Sequence, residues 1–343
     1  MKKNIIIIIA ISAISVISGY GQDIHFSQYS QTPLQINPAL TGVFRGDQRV
    51  ILNYKDQWRS ISNPFTTYAL SIDMSLLKGK WAKGYLGAGL FVFNDKAGKS
   101  EFGTTQVNLS VSGIVPLNDK HLVSAGLQGG FAQRGIKNSD LEWDNKYTDG
   151  TNNDPTMNNG TPLFGFGDFS GGLQWKYGSD ASTMTSNNAF GADAGVSFFH
   201  INRPKQDFNV SVDKLYTKMA FHGGSYIGLK NTNIILMPSV LFFMQGPSIE
   251  TNIGTMVKYV LREKSKYTKF VKGSAVSIGG HLRIGDAFIP SVMLEVANFA
   301  VGFSYDINVS SLKVASSGKG GFEISLRYTN PNPFEKQKAR SLL

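Results

Sequence analysis

The sequence predicts an all-β protein: a transmembrane barrel of about fourteen antiparallel strands, of the kind that spans bacterial outer membranes. From Arg49 to Tyr328 the chain repeats segments of ten to thirteen residues in which apolar and polar side chains alternate, each closed by a short turn. Strand side chains point alternately to opposite faces, so such a segment can present one row to lipid and one to a wet lumen. The N-terminus carries an export signal, and no later apolar run approaches the eighteen residues of a spanning helix.

The first element is a signal peptide, predicted over residues 1–21 and removed on export through the inner membrane. Residues 1–4 are basic, residues 5–17 form an apolar run, and small residues at 18–21 precede Gln22. A chain exported in this way, without a spanning helix, crosses a bilayer only as a closed barrel. We therefore expect an outer-membrane location.

The second element is a leader, residues 22–46, in which Pro33, Pro38, Gly42 and Gly46 interrupt any long helix or strand. It is too apolar for a disordered tail. We expect it to plug the barrel lumen; the alternative is a strap along the periplasmic rim. The side chains predicted to fill the lumen are Phe26, Tyr29, Leu34, Ile36, Leu40 and Phe44.

The third element is the barrel, residues 47–329, followed by a periplasmic tail at 330–343. The ninth strand is the least regular, because Pro238 cannot donate to a ladder and implies a bulge or a misplaced element. The predicted strands are 47–55, 65–77, 84–93, 103–115, 120–134, 166–178, 189–200, 216–229, 233–244, 249–261, 272–284, 287–296, 299–306 and 319–329.

The alternation also predicts which side chains face the lumen, since charges are costly against lipid. The residues predicted to face inward are Glu250, Asn252, Lys258, His281, Arg283, Glu323 and Arg327. A soluble β-sandwich also alternates, but its strands are usually shorter, nearer five or six residues.

An even strand count places both termini in the periplasm, so that the long connections 135–165 and 201–215 lie outside and the basic turns 78–83 and 262–271 lie inside. The candidate outer aromatic anchors for a partner are Trp143, Tyr147, Phe164 and Phe208. The candidate inner contacts for an acidic machinery component, or alternatively for lipid phosphates, are Lys264, Lys266 and Lys269.

Several other classes of function find little support. The chain has no cysteine, which excludes disulfides, zinc thiolates and thiol catalysis. The five histidines show no metal-ligand spacing, so no metal, cofactor or catalytic residue is predicted; calcium in the Asp- and Asn-rich stretch 144–160 is left open. The net charge of +10 does not favour nucleic acid, because no arginine-rich stretch is interleaved with stacking aromatics.

Short motifs recur in order along the whole mature chain and together resemble one family. These motifs are QD at 22–23 with FSQY at 26–29, NPALTG at 37–42, NYKDQW at 53–58, NPFTTY at 63–68, NDKAG at 94–98, QR at 133–134, LQW at 173–175, HINRP at 200–204 and QGP at 245–247. In this respect the chain is similar to the PorP/SprF family of outer-membrane proteins of the Bacteroidetes type IX secretion system.

The resemblance implies a non-enzymatic barrel that supports the secretion or surface anchoring of a partner, such as a large gliding adhesin with a type IX C-terminal domain. It also implies contacts with periplasmic components of the secretion or gliding machinery. The residues alone leave two rivals open: a general porin or hydrophobic-substrate channel, and an outer-membrane enzyme.

Overall fold

A computed structural model describes residues 23–59, 63–81, 83–98, 100–136, 145–148, 163–179, 189–207, 212–263, 273–310 and 313–330. The strands are β1 (Gln48–Gln57), β2 (Phe65–Trp81), β3 (Gly84–Ala97), β4 (Phe102–Pro116), β5 (His121–Gly135), β6 (Leu163–Ser179), β7 (Phe190–Phe199), β8 (Lys205–Asp207), β9 (Val212–Lys214), β10 (Lys218–Gly228), β11 (Ile234–Gln245), β12 (Ser248–Arg262), β13 (Ser274–Arg283), β14 (Ala287–Val296), β15 (Phe299–Asn308) and β16 (Lys319–Asn330).

Fourteen of these strands form one closed antiparallel barrel, and β8 and β9 form a separate two-stranded hairpin. The barrel closes where β1 pairs with β16, in continuous register from Gln48 opposite Asn330 to Gln57 opposite Gly321. Closure leaves no unpaired strand edge to meet lipid. The prediction of a fourteen-stranded transmembrane barrel is confirmed.

The helices of the described residues are single turns: 3-10 turns at Tyr29–Gln31 and Pro38–Leu40, and α-helical turns at Pro33–Ile36, Asn145–Thr148 and Lys313–Ser316. None is long and apolar enough to cross a membrane.

We call the end of the barrel where β1 begins and β16 ends the terminal end, and the opposite end the loop end. The two largest separations in sequence between consecutive barrel strands, from Gly135 to Leu163 and from Phe199 to Lys218, occur at the loop end. The usual asymmetry of such barrels assigns that end to the outside.

The barrel wall is apolar outside and polar inside. Along β4, Gln106, Asn108, Ser110 and Ser112 are buried. The side chains between them point outward, and Leu109 is 65% exposed. A soluble sandwich would bury the apolar row, so this reversal identifies lipid as the outer solvent.

Two strands end four residues later than predicted. The second strand was expected to end at 77 and the third at 93, but β2 continues to Trp81 and β3 to Ala97. The predicted inner turn at 78–83 is therefore wrong, because pairing resumes at Trp81 and Gly84 after a register shift beyond Leu76. Charged residues such as Lys78 had indicated a turn, yet strands that extend beyond the hydrocarbon tolerate them.

Proline interrupts the ladder without displacing the strand. In β11, Pro238 keeps its place opposite Thr255 of β12. On the other side, the ladder between β10 and β11 passes from Gly224 opposite Ser239 directly to Ile227 opposite Leu236. The missing amide hydrogen of Pro238 explains the gap on the β10 side, and the element itself is correctly placed.

The outward row supports a prediction about depth in the membrane. Ile253 lies within β12 and is 53% exposed, and Val296 ends β14 with 62% exposure. Arginine at Ile253 is expected to lower the free energy of unfolding by about 2–4 kcal/mol, whereas arginine at Val296 should cost at most about 1 kcal/mol, because the cost falls toward the interface. Urea titration of each variant in lipid vesicles measures both; equal costs would contradict the placement of the bilayer.

Candidate functional site

The leader from Asp23 to Gly46 lies inside the barrel. Its residues make hydrogen bonds to strands around the whole circumference, and only a segment within a closed barrel can touch every side of it. The bonds that show this join His25 O to Lys55 of β1 (2.9 Å), Gly42 N to Asp73 of β2 (2.9 Å), Thr41 to Ser110 of β4 (3.0 Å), Ala39 O to Ser124 of β5 (2.7 Å), Asn37 to Leu173 O of β6 (2.9 Å), Ile36 O to Ser197 of β7 (2.5 Å), Tyr29 to Ser239 of β11 (2.7 Å) and Ser27 N to Glu323 of β16 (2.7 Å).

Glu323 holds the first turn of the leader. Its carboxylate accepts the backbone N–H of Ser27 at 2.7 Å and that of Gln28 at 3.1 Å. The Gln28 side chain donates to the Glu323 carbonyl at 3.0 Å and accepts from the Ser325 hydroxyl at 2.8 Å. Since Glu323 is only 1% exposed, these charge-assisted bonds supply the polar contacts that a buried carboxylate requires.

Arg283 links the leader to three carboxylates. Its guanidinium donates to Ser27 Oγ at 2.9 Å, to Asp306 at 3.0 Å and to Asp286 at 2.9 Å, and its Nε lies 3.7 Å from Glu250. Ser27 Oγ in turn donates to Asp306 at 2.6 Å. An isolated charge would be costly in this interior, so the network favours a leader that stays in place.

The start of the leader is tied to the loop end through His200. The Nε2 of His200 lies 2.6 Å from Asp23, and its Nδ1 lies 2.9 Å from Asp168. Although burial alone would lower the pKa of His200, the two carboxylates raise it from 6.5 to about 9. The imidazolium therefore bridges the leader and β6 at neutral pH.

This bridge predicts a pH dependence. Because the pKa of His200 is higher in the folded protein, its stabilisation is complete below pH 6.5 and is lost as pH rises through about 9. The loss is on the order of 3 kcal/mol, by the conversion of a pKa shift into free energy. As pH is raised from 6.5 to 9, the midpoint temperature of thermal unfolding should decrease more for the wild-type barrel than for His200→Gln. Equal decreases in the two proteins would contradict the bridge.

The last residues of the leader lie at the terminal end of the barrel, where Asp73 and the turn at Gly42 hold them against the wall. Asp73 accepts the Gly42 N–H at 2.9 Å and pairs with Arg49 through two bonds of 2.9 and 2.8 Å. Gly42 has φ of +73°, and a Cβ there would lie 2.9 Å from the Cα of Gly87. The turn therefore requires glycine both for its backbone conformation and for its close approach to β3.

The wall of β5 leaves room for the middle of the leader at Gly126. A Cβ on Gly126 would lie 2.4 Å from the carbonyl carbon and oxygen of Pro38 and 2.5 Å from the nitrogen of Ala39. Two positions along the same strand, the Ser124 hydroxyl donates to the Ala39 carbonyl at 2.7 Å. Glycine at this inward position thus lets leader backbone and strand backbone pack in direct contact.

Apolar side chains fill the space between these polar ties. The leader residues predicted to plug the lumen include Leu34, which is fully buried, and Leu40, which is partly buried. The apolar clusters that join leader and wall are Phe26 and Leu34 with Ala69, Phe91 and Phe93; Tyr29 and Ile36 with Phe199, Ala220, Leu241 and Phe243; and Val43 with Tyr85, Ile114 and Leu122. Phe44 packs beneath the Arg49 guanidinium, 4.4 Å from ring centroid to Cζ.

The remaining residues predicted to face inward contact the leader, one another or Glu295 of β14. His281 packs edge-on against Tyr29 with ring centroids 5.2 Å apart, and Asn252 donates to Glu250 at 2.7 Å. Arg327 donates to Glu295 at 2.7 Å and to Gln31 at 3.3 Å, and Lys258 also pairs with Glu295. Sequence reasoning missed Glu295, although it lies on the polar row of β14.

Of the residues predicted to bind a partner, the structure describes two, Tyr147 and Phe164. Tyr147 lies on the turn Asn145–Thr148 and is 76% exposed. Phe164 was predicted to lie in an outer loop, but it belongs to β6 and stacks on Phe166 with centroids 6.1 Å apart, because the strand begins at Leu163. The candidates outside the described residues are Trp143, Phe208, Lys264, Lys266 and Lys269.

A cavity of about 730 Å³ lies above the leader at the loop end. Leader residues Asp23, Ile24, His25 and Gln35 form its floor, and the ends of β1 to β7 and β10 to β13 form its wall. The hairpin of β8 and β9 contributes Gln206 and Lys214 at one side. The lumen is thus divided into a part filled by the leader and a part open to a ligand.

The comparison with protein families decides what kind of barrel this is. A model described as type IX secretion system membrane protein PorP/SprF matches residues 18–328. The chain belongs to this family. The family is that of a membrane component of a secretion system. A search among curated proteins returned no match.

Solved outer-membrane barrels are similar in outline to this family member. The CymD monoaromatic hydrocarbon channel is 12% identical with a TM-score of 0.44, over 90% of this chain and 95% of that chain. The translocator domain of the autotransporter NalP from Neisseria meningitidis is 9% identical with a TM-score of 0.40, over 88% and 96%. CdiB from Acinetobacter baumannii is 7% identical with a TM-score of 0.44; the match covers 82% of this chain and spans 60% of the length of CdiB. These likenesses carry no information on what this chain binds or transports.

Proposed function

We propose that the protein is an accessory outer-membrane barrel of the type IX secretion or gliding machinery, closed by its own leader, that supports secretion or surface anchoring of a partner protein. Family membership supports the secretion role. The observation that supports a closed lumen is the set of hydrogen bonds from the leader to strands on all sides of the barrel. A barrel filled in this way acts through its rims rather than as a conduit.

The partner at the loop end is proposed to be a large adhesin or another type IX cargo with a C-terminal domain. This end carries the longest connections and the exposed aromatic ring of Tyr147, and aromatic anchors dominate binding at protein interfaces. The rival function, a general porin or hydrophobic-substrate channel, needs an open path along the lumen. The leader fills that path below the cavity.

The partner at the terminal end is proposed to be a periplasmic component of the machinery, recognised by charge. Reversing Lys264, Lys266 and Lys269 to glutamate is expected to weaken a salt-sensitive complex without unfolding the barrel, because exposed interfacial charges act mainly through screened electrostatics. Co-purification from native membranes across a salt series measures this. Lys120→Glu, an exposed change at the same end, is the control.

If the triple variant keeps its periplasmic partners at every salt concentration, the lysines meet lipid phosphates instead and docking by charge is wrong. If cargo, but no periplasmic protein, co-purifies with the wild-type barrel, the anchoring role stands without the machinery contact.

A further inference from the structure

The cavity above the leader holds two opposite charges that are not paired with each other. Asp95 of β3 accepts from Thr67 Oγ1 at 2.6 Å. Arg134 of β5 donates to Thr104 Oγ1 at 2.8 Å and to Gln206 Oε1 at 3.0 Å. Among the described residues, the hydrogen bonds of Asp95 and Arg134 are all to uncharged side chains. Both line the cavity, and each keeps the capacity to bind a charged group.

Strand register fixes the spacing of this pair. Asp95 lies opposite Thr104 of β4, and Thr104 lies opposite Arg134. With adjacent strands about 4.8 Å apart, the two backbones are separated by about 10 Å at the same height in the wall. A chain of three residues spans at most about 10 Å between its ends. The backbones that carry the carboxylate and the guanidinium are therefore separated by about the length of a three-residue chain.

Unpartnered donors lie around the same space. The Trp58 indole N–H and the side-chain amide nitrogens of Gln206 and Gln245 are buried and have no acceptor among the described residues. All three residues line the cavity, and Gln245 is 6% exposed. A buried donor without an acceptor is costly, and peptide carbonyl oxygens would supply acceptors.

The cavity also has an apolar side. Phe65, Phe93 and Phe166 line it, and its volume of about 730 Å³ falls within the usual range for sites that bind small ligands. Such sites combine aromatic walls with a few polar groups that orient the ligand. The cavity thus matches a ligand with a free ammonium, a free carboxylate, several carbonyl groups and an apolar side chain.

We propose that this cavity is a binding site for short peptides with free termini, in which Asp95 receives the N-terminal ammonium and Arg134 the C-terminal carboxylate. The role is separate from secretion and uses the loop end, where the cavity faces the assigned outside. The leader forms the floor of the site, so a bound peptide stays above it and does not traverse the barrel.

The test uses full-length protein in lipid nanodiscs and the tripeptide alanyl-phenylalanyl-alanine, with binding followed by calorimetry. N-acetylation or C-amidation of the peptide should each weaken binding about tenfold or more, because each removes a charge-assisted hydrogen bond. Asp95→Asn should no longer distinguish the acetylated from the free peptide. Arg134→Gln should no longer distinguish the amide from the acid.

Arg203→Gln is the matched control, since Arg203 is an exposed arginine at the loop end that does not line the cavity. It should bind like the wild type. No binding of the tripeptide by heat-modifiable wild-type barrel overturns the proposal, as does equal binding of the capped and free peptides. If capping only one of the two termini weakens binding, the proposal is also overturned. That result would indicate a site for one end of a longer protein rather than for a short peptide with two free termini.

Discussion

Deletion of residues 24–44 is expected to turn a nearly closed barrel into an open pore. A fourteen-stranded barrel is wide enough to hold water when nothing fills it, and the leader supplies the apolar and polar groups that displace that water. Single-channel conductance in planar bilayers should rise on the order of tenfold or more. The wall should remain folded, because its strands pair with one another and not with the leader.

The matched control for this deletion is removal of residues 331–343, which follow β16. This truncation should leave conductance unchanged. An unchanged conductance in the leader deletion, with heat-modifiable mobility retained, would show that the leader does not close the lumen. A high conductance of the wild-type barrel would favour the porin function over the accessory one.

Gly126→Ala is expected to displace the middle of the leader with a single methyl group. The new Cβ would lie 2.4 Å from the Pro38 carbonyl group, a separation that backbone atoms cannot tolerate. Relief requires the leader to move, which breaks the bond from Ser124 to Ala39 and the bond from Asn37 to Leu173. Loss of these two hydrogen bonds is expected to cost about 1–3 kcal/mol.

The expected readout is cleavage of the leader by added protease, together with higher conductance. Gly113→Ala is the control: Gly113 lies opposite Ala125, the neighbour of Gly126, and a Cβ there meets nothing within 4 Å. Because alanine fits a strand at both positions, a difference between the variants reports the leader contact alone. Equal protease resistance of the two variants would contradict the packing at Pro38.

The sequence was sufficient for the barrel because its physical requirement is periodic. Lipid outside and polar groups inside impose an alternation with a period of two, and the apolar and polar rows of β4 show it directly. Strand ends were harder to predict: β2 and β3 continue past the hydrocarbon, where charged side chains are tolerated and the alternation no longer constrains them.

The inner contacts were only partly predictable. Alternation indicated that Arg283 and Glu323 face inward, and the apolar content of the leader indicated that it fills the lumen. Nothing in the pattern indicated that Glu323 would receive two backbone N–H groups of the leader, because that pairing depends on three-dimensional placement of an aperiodic segment. His200 and Asp23 are separated by 177 positions in the chain, so their contact left no local signal either.

The central claim is that the leader lies inside the barrel against defined wall positions, and a disulfide tests it most directly. The chain has no cysteine, so Thr41→Cys with Ser110→Cys introduces a single possible pair. The two native hydroxyl oxygens are 3.0 Å apart, close enough for a disulfide to replace their hydrogen bond. Thr41→Cys with Leu109→Cys, whose second site is 65% exposed on the outer face, is the control. We expect mild oxidation of the membrane-embedded protein to join the first pair and not the second; failure of the first pair to join, or equal joining of both, would contradict the account.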